Sequence, residues 1–136
     1  MSNILIYADG GARGNPGPAG AGSVVLDGDE VLAEVAHFLG HTTNNVAEYT
    51  ALIDGLTAAI PYAKGRRVEV RMDSELVVKQ MKGLYKVKHP NLKPLFLEAK
   101  ELIAEHFEDI SYVHVPREKN KLADALANQA MDRGAN

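Results

Sequence analysis

Tyr7-Ala8-Asp9-Gly10-Gly11-Ala12-Arg13-Gly14-Asn15-Pro16-Gly17-Pro18-Ala19-Gly20 is where an apolar run meets a carboxylate and passes into a stretch almost without side chains. The residues leading into it, Ile4 to Ala8, are short, apolar and partly β-branched, and read as a central strand buried on both faces that Asp9 ends. Two readings of the stretch compete. Gly supplies positive φ and Pro fixes φ, so Asp-Gly followed by Gly, Asn and Pro is how an ordinary turn is written. A carboxylate beside open backbone is also how a metal and a phosphate would be received. The rest of the chain has to decide between them.

Working outward, Ala21 to Leu26 and Val31 to Leu39 are two further strands, joined by Leu26-Asp27-Gly28-Asp29, where Asp-Gly signals a tight hairpin. The first three strands then form an antiparallel meander. His41-Thr42-Thr43-Asn44-Asn45 is a polar junction with good N-cap residues, and a helix follows to about Ile60. Its stripe is Leu52, Leu56, Ala59 and Ile60, with Glu48 one turn earlier on the same face. A carboxylate facing a core must be paired, hydrogen-bonded or metal-bound. The plainer reading is a first-turn Glu favoured by the helix dipole.

Pro61 to Arg67 reads as a connection. Val68, Val70 and Met72 alternate with Glu69 and Arg71 as a fourth strand ended by Asp73, and Ser74 caps a short helix that Gly83 stops. A basic segment follows. Pro90 and Pro94 bracket the start of another helix, Asp109 to Val115 is a fifth strand, and Pro116 stops it. From about Asn120 a last helix carries Leu122, Leu126, Ala127 and Ala130 as its stripe, with Asp124 on the border and Arg133 to Asn136 as a frayed end. The order predicts an α/β domain: a five-stranded mixed sheet, three antiparallel strands then parallel additions, with helices on both faces. A single domain over 1–136, with its core at about 3–132, is expected.

Composition narrows the chemistry. With 136 residues and 46% hydrophobic content the chain can bury a sizeable core. It has no cysteine, which excludes disulfides, thiolate metal sites and cysteine nucleophiles. No basic leader or membrane-length apolar run is present, so a soluble, cytoplasmic protein without membrane contact is expected. The net charge of −3 argues against coating nucleic acid by bulk charge. Residues 79 to 93 nevertheless hold five lysines and no acidic residue, either a nucleic-acid contact or a solvated face.

Asp9 and Asp73 end two central-reading strands; if these are parallel neighbours, both carboxylates lie at the sheet end where α/β proteins place ligands. Glu48 and Asp124 come from helix positions facing or bordering the sheet. Four converging carboxylates require divalent cations, and an all-oxygen shell selects Mg²⁺ or Mn²⁺ over zinc. That chemistry suits phosphoryl transfer by two ions about 4 Å apart.

The sequence resembles a type 1 ribonuclease H across nearly its whole length. The motifs are Asp9-Gly10-Gly11 with Gly14-Asn15-Pro16-Gly17-Pro18; Thr42-Thr43-Asn44-Asn45-Val46-Ala47-Glu48; Met72-Asp73-Ser74; and Asn120-Lys121-Leu122-Ala123-Asp124-Ala125-Leu126-Ala127. The resemblance implies that Asp9, Glu48, Asp73 and Asp124 are catalytic carboxylates. They would hold two Mg²⁺ ions, with Mn²⁺ as substitute, for attack of water on the RNA strand of an RNA:DNA hybrid. Products would carry 5′-phosphate and 3′-hydroxyl ends. It also implies nucleic-acid contacts at Asn15, Thr43 and Asn44, on a surface shared with Gly10, Gly11, Asn45 and Ser74, and a contact of Glu48 with a 2′-hydroxyl. Double-stranded RNA, branched DNA, or hybrid binding without catalysis are the alternatives, and a monomer is expected.

The chain departs from the family pattern in three places. With no Trp it lacks the long Trp-rich basic protrusion, for which Lys79, Lys82, Lys86 and Lys88 are the available substitutes. Val115-Pro116-Arg117-Glu118-Lys119-Asn120 is too short for the family's His-bearing loop, leaving Arg117 as the candidate for its charge near the leaving phosphate. Glu75 stands where many members have Gln. His114 is a candidate acid or base, but its place inside a strand favours a plain surface histidine. Tyr85 is read as a stacking platform or a packing residue.

Overall fold

The computed structural model describes residues 3–134. Its elements are β1 (Ile4–Ala12), β2 (Gly17–Asp27), β3 (Glu30–Thr42), α1 (Asn44–Ala63), β4 (Arg67–Met72), α2 (Glu75–Met81), α3 (Lys93–His106), β5 (Asp109–His114) and α4 (Lys121–Gly134), with a 3-10 turn at Arg117–Lys119. The strands form one sheet in the order β3-β2-β1-β4-β5. β1, β2 and β3 pair antiparallel, while β4 and β5 are added parallel. This is the expected mixed sheet.

Alternation along β1 builds the core. Ile4, Ile6 and Ala8 are fully buried and cluster with Tyr49, Leu52 and Leu56 of α1 and with Val68 and Val70 of β4. Leu5 and Tyr7, on the other face, are only half-buried, so β1 is central in the sheet without being dry on both sides. Ser23 of β2 faces α1, where its hydroxyl donates to the Ala51 carbonyl. Its neighbour Gly22 faces α4. Successive strand residues point to opposite faces, so α1 and α4 sandwich the sheet. α3 packs on α1.

Several expected boundaries move. β1 does not end at Asp9; it runs to Ala12, because Asp9 to Ala12 continue to pair with Ala19 to Gly22. The Gly/Pro stretch is therefore mostly ladder, and only residues 13–16 form its bend. The hairpin turn is Gly28-Asp29, one residue later than Asp27-Gly28, since Asp27 pairs with Glu30 and Gly28 takes the positive φ of 62°. α1 continues through Pro61 to Ala63. In the last turn, with its ring exposed, Pro61 costs one hydrogen bond without stopping the helix.

The stripe of α4 is also corrected. Ala123, Ala127, Ala130 and Met131 are buried, whereas Leu122 is 53% exposed. Small residues are needed there because α4 lies directly on glycines of β2. Residues 133 and 134 are helical rather than frayed, and the expectation for 135 and 136 lies outside the described residues. β5 stops at His114, although the Val115 N–H still donates to the Met72 carbonyl at 2.9 Å. No helix among the described residues is long and apolar enough to cross a membrane.

Candidate active site

Ala8 of β1 and Met72 of β4 are registered partners in a parallel pair. The next residue on each strand's path is an aspartate, so Asp9 and Asp73 emerge together where the parallel pairing of β1 with β4 ends. The other two carboxylates arrive on helices, and glycines determine how close those helices come. A Cβ on Gly10 would collide with the backbone of Ala47 and Glu48, so its absence lets α1 touch β1 and delivers Glu48 beside Asp9. Gly22, the registered partner of Asp9 on β2, would collide in the same way with the Ala123 carbonyl and the Ala127 nitrogen. Its bareness seats α4 and delivers Asp124.

Asp9, Glu48, Asp73 and Asp124 line one open cavity of about 570 Å³, together with Gly10, Gly11, Arg13, Asn44, Ser74 and Arg117. Burial, then the charges and hydrogen bonds of Asp73 and Asp124, push the Asp9 carboxyl up to about 8. Burial likewise pushes Glu48 up to about 7, with Asp73 adding to the rise and the Ser74 hydroxyl opposing it. Every neighbour acting on Asp9 raises it, so its negative charge is not compensated by the protein. The Arg117 guanidinium stands 3.9 Å from Asp124 on a side chain 80% exposed, too solvated to serve as a counter-ion for the group.

Among the described residues no three acidic or histidine side chains form a ready-made metal cage. The carboxylates converge on the cavity without closing round one point. Their donor set still fits a hard divalent cation: the oxygens are carboxylate oxygens, partly desolvated and mutually repelling when ionised, with no thiolate or imidazole beside them. The four carboxylates are the residues that could hold it.

The loop and the α1 N-terminus brace one another. Asn44 Oδ1 accepts from the Ala12 N–H at 2.7 Å, Asn15 Oδ1 accepts from the Asn44 N–H at 3.1 Å, and Thr43 Oγ1 caps α1 at the Val46 N–H. The acceptor oxygens of Asn15 and Asn44 are thus spent internally, and their amide NH₂ groups are the ends left for a ligand. Asn15, Thr43 and Asn45 line a second hollow of about 230 Å³ with His89 and Asn91.

A model of the reverse transcriptase-like family matches residues 7–130. A bifunctional protein of Mycobacterium tuberculosis is 52% identical over 134 residues, covering 97% of this chain and 36% of that protein. The structure of its N-terminal RNase H domain, fused to maltose-binding protein, superposes with a TM-score of 0.92 at 51% identity, covering 99% and 97% of the two chains. LC11-RNase H1, isolated from compost by a metagenomic approach, is 49% identical over the full length of both chains with a TM-score of 0.93. The chain belongs to the type 1 ribonuclease H family.

LC11-RNase H1 has also been solved in complex with an RNA/DNA hybrid. RNase H1 of the archaeon Halobacterium salinarum gives a TM-score of 0.89 at 44% identity, covering 97% and 99% of the two chains. The chain spans about a third of the length of the mycobacterial relative and 64% of the Halobacterium ribonuclease HI.

Within this ribonuclease H frame the predicted lysines stand apart from the carboxylates. Lys79 is paired with Glu75 at 2.6 Å and lies 5.1 Å over one face of the Tyr85 ring, which is otherwise exposed. Lys82, Lys86 and Lys88 are exposed and outside the cavity. His114 is exposed on β5, paired with Met72, and does not line the cavity. Two residues escaped the sequence reading. Arg13, left without a role, lines the cavity and ties the loop to α4 through Asp132 at 2.6 Å. Asn120, quoted only as part of a motif, is buried among the carboxylates; its position four residues before Asp124 was the available signal.

Proposed function

We propose that this chain is an endonuclease that hydrolyses the RNA strand of RNA:DNA hybrids and leaves 5′-phosphate and 3′-hydroxyl ends. The observation that carries the reading is the convergence of Asp9, Glu48, Asp73 and Asp124 on one open cavity walled by the bare backbone of Gly10 and Gly11. The hybrid bound by LC11-RNase H1, at 49% identity, supports the substrate class. Two Mg²⁺ ions, or Mn²⁺, would be held by the four carboxylates and would supply positive charge that polarises the scissile phosphate and lowers the pKa of attacking water.

The chain's own groups do the remainder. Gly11 lets the RNA backbone approach the sheet end, since nothing lies closer than Asn44 where its side chain would project. Asn15, Thr43 and Asn44, held by hydrogen bonds from the backbone of Ala12, Asn44 and Val46, offer amide and backbone donors to phosphate and ribose. Glu48, at the start of α1, meets a 2′-hydroxyl, which makes the cut strand RNA. Arg117, at the rim beside Asp124, stabilises charge on the departing 3′ oxygen. Lys82, Lys86 and Lys88 hold the DNA strand at a distance from the chemistry.

The test is cleavage, with Mg²⁺, of labelled RNA:DNA hybrid, duplex RNA, branched DNA and duplex DNA, with product ends mapped. The expected result is hybrid cleavage with 5′-phosphate ends. Preference for duplex RNA or branched DNA would overturn the substrate assignment, and hybrid binding without cleavage would make the chain a binding module.

A further inference from the structure

We propose that Asn120 is a positioning residue whose buried side-chain amide holds Asp73 against the β1 backbone next to Asp9. The inference deepens the proposed function and rests on it. Asn120 sits between the 3-10 turn and α4 and is 1% exposed. Its Nδ2 donates to the Ala8 carbonyl at 2.9 Å and to Asp73 Oδ1 at 3.1 Å. Its backbone carbonyl accepts the Asp124 N–H at 3.1 Å. One residue is therefore bonded to the position before Asp9, to Asp73 itself and to the backbone of Asp124.

The chemistry of the partners fixes which way the amide points. A carbonyl and a carboxylate accept and do not donate, so only the NH₂ end satisfies both, and a flipped amide would set Oδ1 against two acceptors. The orientation has a cost that shows what it serves. An Asn just ahead of a helix ordinarily turns Oδ1 onto an N–H of the first turn. Here Oδ1 is buried without a hydrogen-bond partner among the described residues. Capping α4 is forgone in favour of Asp73. With Oδ1 of Asp73 held by Asn120, its carboxylate plane is set and Oδ2 remains for a cation. Ligand-orienting hydrogen bonds of this kind typically govern metal affinity and activity by about 10- to 100-fold.

The experiment compares the full chain with Asn120→Asp, which keeps the shape but replaces the donor with a carboxylate oxygen, and Asn120→Ala, which removes the amide without adding charge. Circular dichroism establishes folding. Calorimetry with Mg²⁺ alone gives cation affinity, and hybrid cleavage gives kcat and KM at a temperature where the variants are folded. The expected result is a fall of about tenfold or more in both Mg²⁺ affinity and kcat, KM changed less than about twofold, and partial recovery of turnover at high Mg²⁺. A folded Asn120→Ala whose Mg²⁺ affinity and kcat match the parent overturns the proposal, whatever its melting temperature. So does failure of both variants to fold, which would make Asn120 a core residue. A parent that binds Mg²⁺ but cuts no hybrid would defeat the proposed function instead, leaving the Mg²⁺ affinities to decide on Asn120.

Discussion

Asp9 and Gly22 are registered partners across the β1–β2 ladder, and the side of Gly22 that lacks a Cβ is where the backbone of α4 rests. The carboxylate of one strand and the bare position of the next are thus one device. The first supplies charge, and the second admits the helix that brings Asp124.

Gly22→Ala follows directly. A methyl group would meet the Ala123 carbonyl and the Ala127 nitrogen, which belong to helix backbone and cannot rotate away. The variant should lose about 1–3 kcal/mol of stability by overpacking and should lose kcat more than KM, because α4 carries Asp124 outward. Denaturant unfolding and steady-state hybrid cleavage check both. Unchanged stability would mean that α4 shifts freely.

Metal-free stability should fall as pH rises. Folded Asp9 and Glu48 bind protons up to about 8 and about 7, against ordinary values of 3.8 and 4.5. A raised acid pKa stabilises the fold in full below the unfolded value, and the contribution is lost as pH climbs through the folded value. The decline should therefore fall between about pH 4 and 8, the window set by the ordinary and folded values of the two groups. Asp9→Asn should flatten most of that slope, and Mg²⁺ should bind near pH 7 with proton release. Thermal melts across pH and calorimetry in two buffers of different ionisation enthalpy measure these effects. A slope unaffected by Asp9→Asn would place the proton elsewhere.

Arg117→Ala should lower turnover on the order of tenfold or more while leaving hybrid affinity within about twofold, because the side chain is 80% exposed at the cavity rim and its partner Asp124 is one of the carboxylates proposed to carry the chemistry. Single-turnover rates beside equilibrium binding separate the two. An unchanged rate removes Arg117 from the mechanism.

For the basic segment, Lys82→Ala/Lys86→Ala should reduce the slope of log affinity against log salt by up to about 2, roughly one unit for each phosphate no longer neutralised. Both side chains are exposed and make no ion pair among the described residues, so their charge is free to act on a ligand. An identical slope would return them to a solvated face.

Much of the architecture was legible because its signals are local. Alternation in Val68, Val70 and Met72 wrote β4, Ser74 and Thr43 wrote the caps they form, and the strand and helix order implied the mixed sheet. The four carboxylates stood out as charges where apolar residues were expected. What escaped depends on contacts between distant parts of the chain. That Asp9 to Ala12 remain in the ladder is decided by Ala19 to Gly22, and that Leu122 faces solvent is decided by glycines a hundred residues earlier. Asn120 was quoted only within a motif because its side chain's partners, Ala8 and Asp73, are 112 and 47 residues away. Lys79 looked available because its pairing with Tyr85 needs the turn at Gly83 to fold back.

The central claim is that Asp9 and Asp73, side by side just beyond the last residues that pair β1 with β4, carry the chemistry. Its most direct test is single-turnover cleavage of a labelled RNA:DNA hybrid, with Mg²⁺, by the parent chain, Asp9→Asn and Asp73→Asn, each confirmed to be folded and to bind hybrid. The account predicts rapid cutting of the RNA strand by the parent and a loss on the order of 10³-fold or more in each variant. Cutting at the parent's rate by either variant would contradict it.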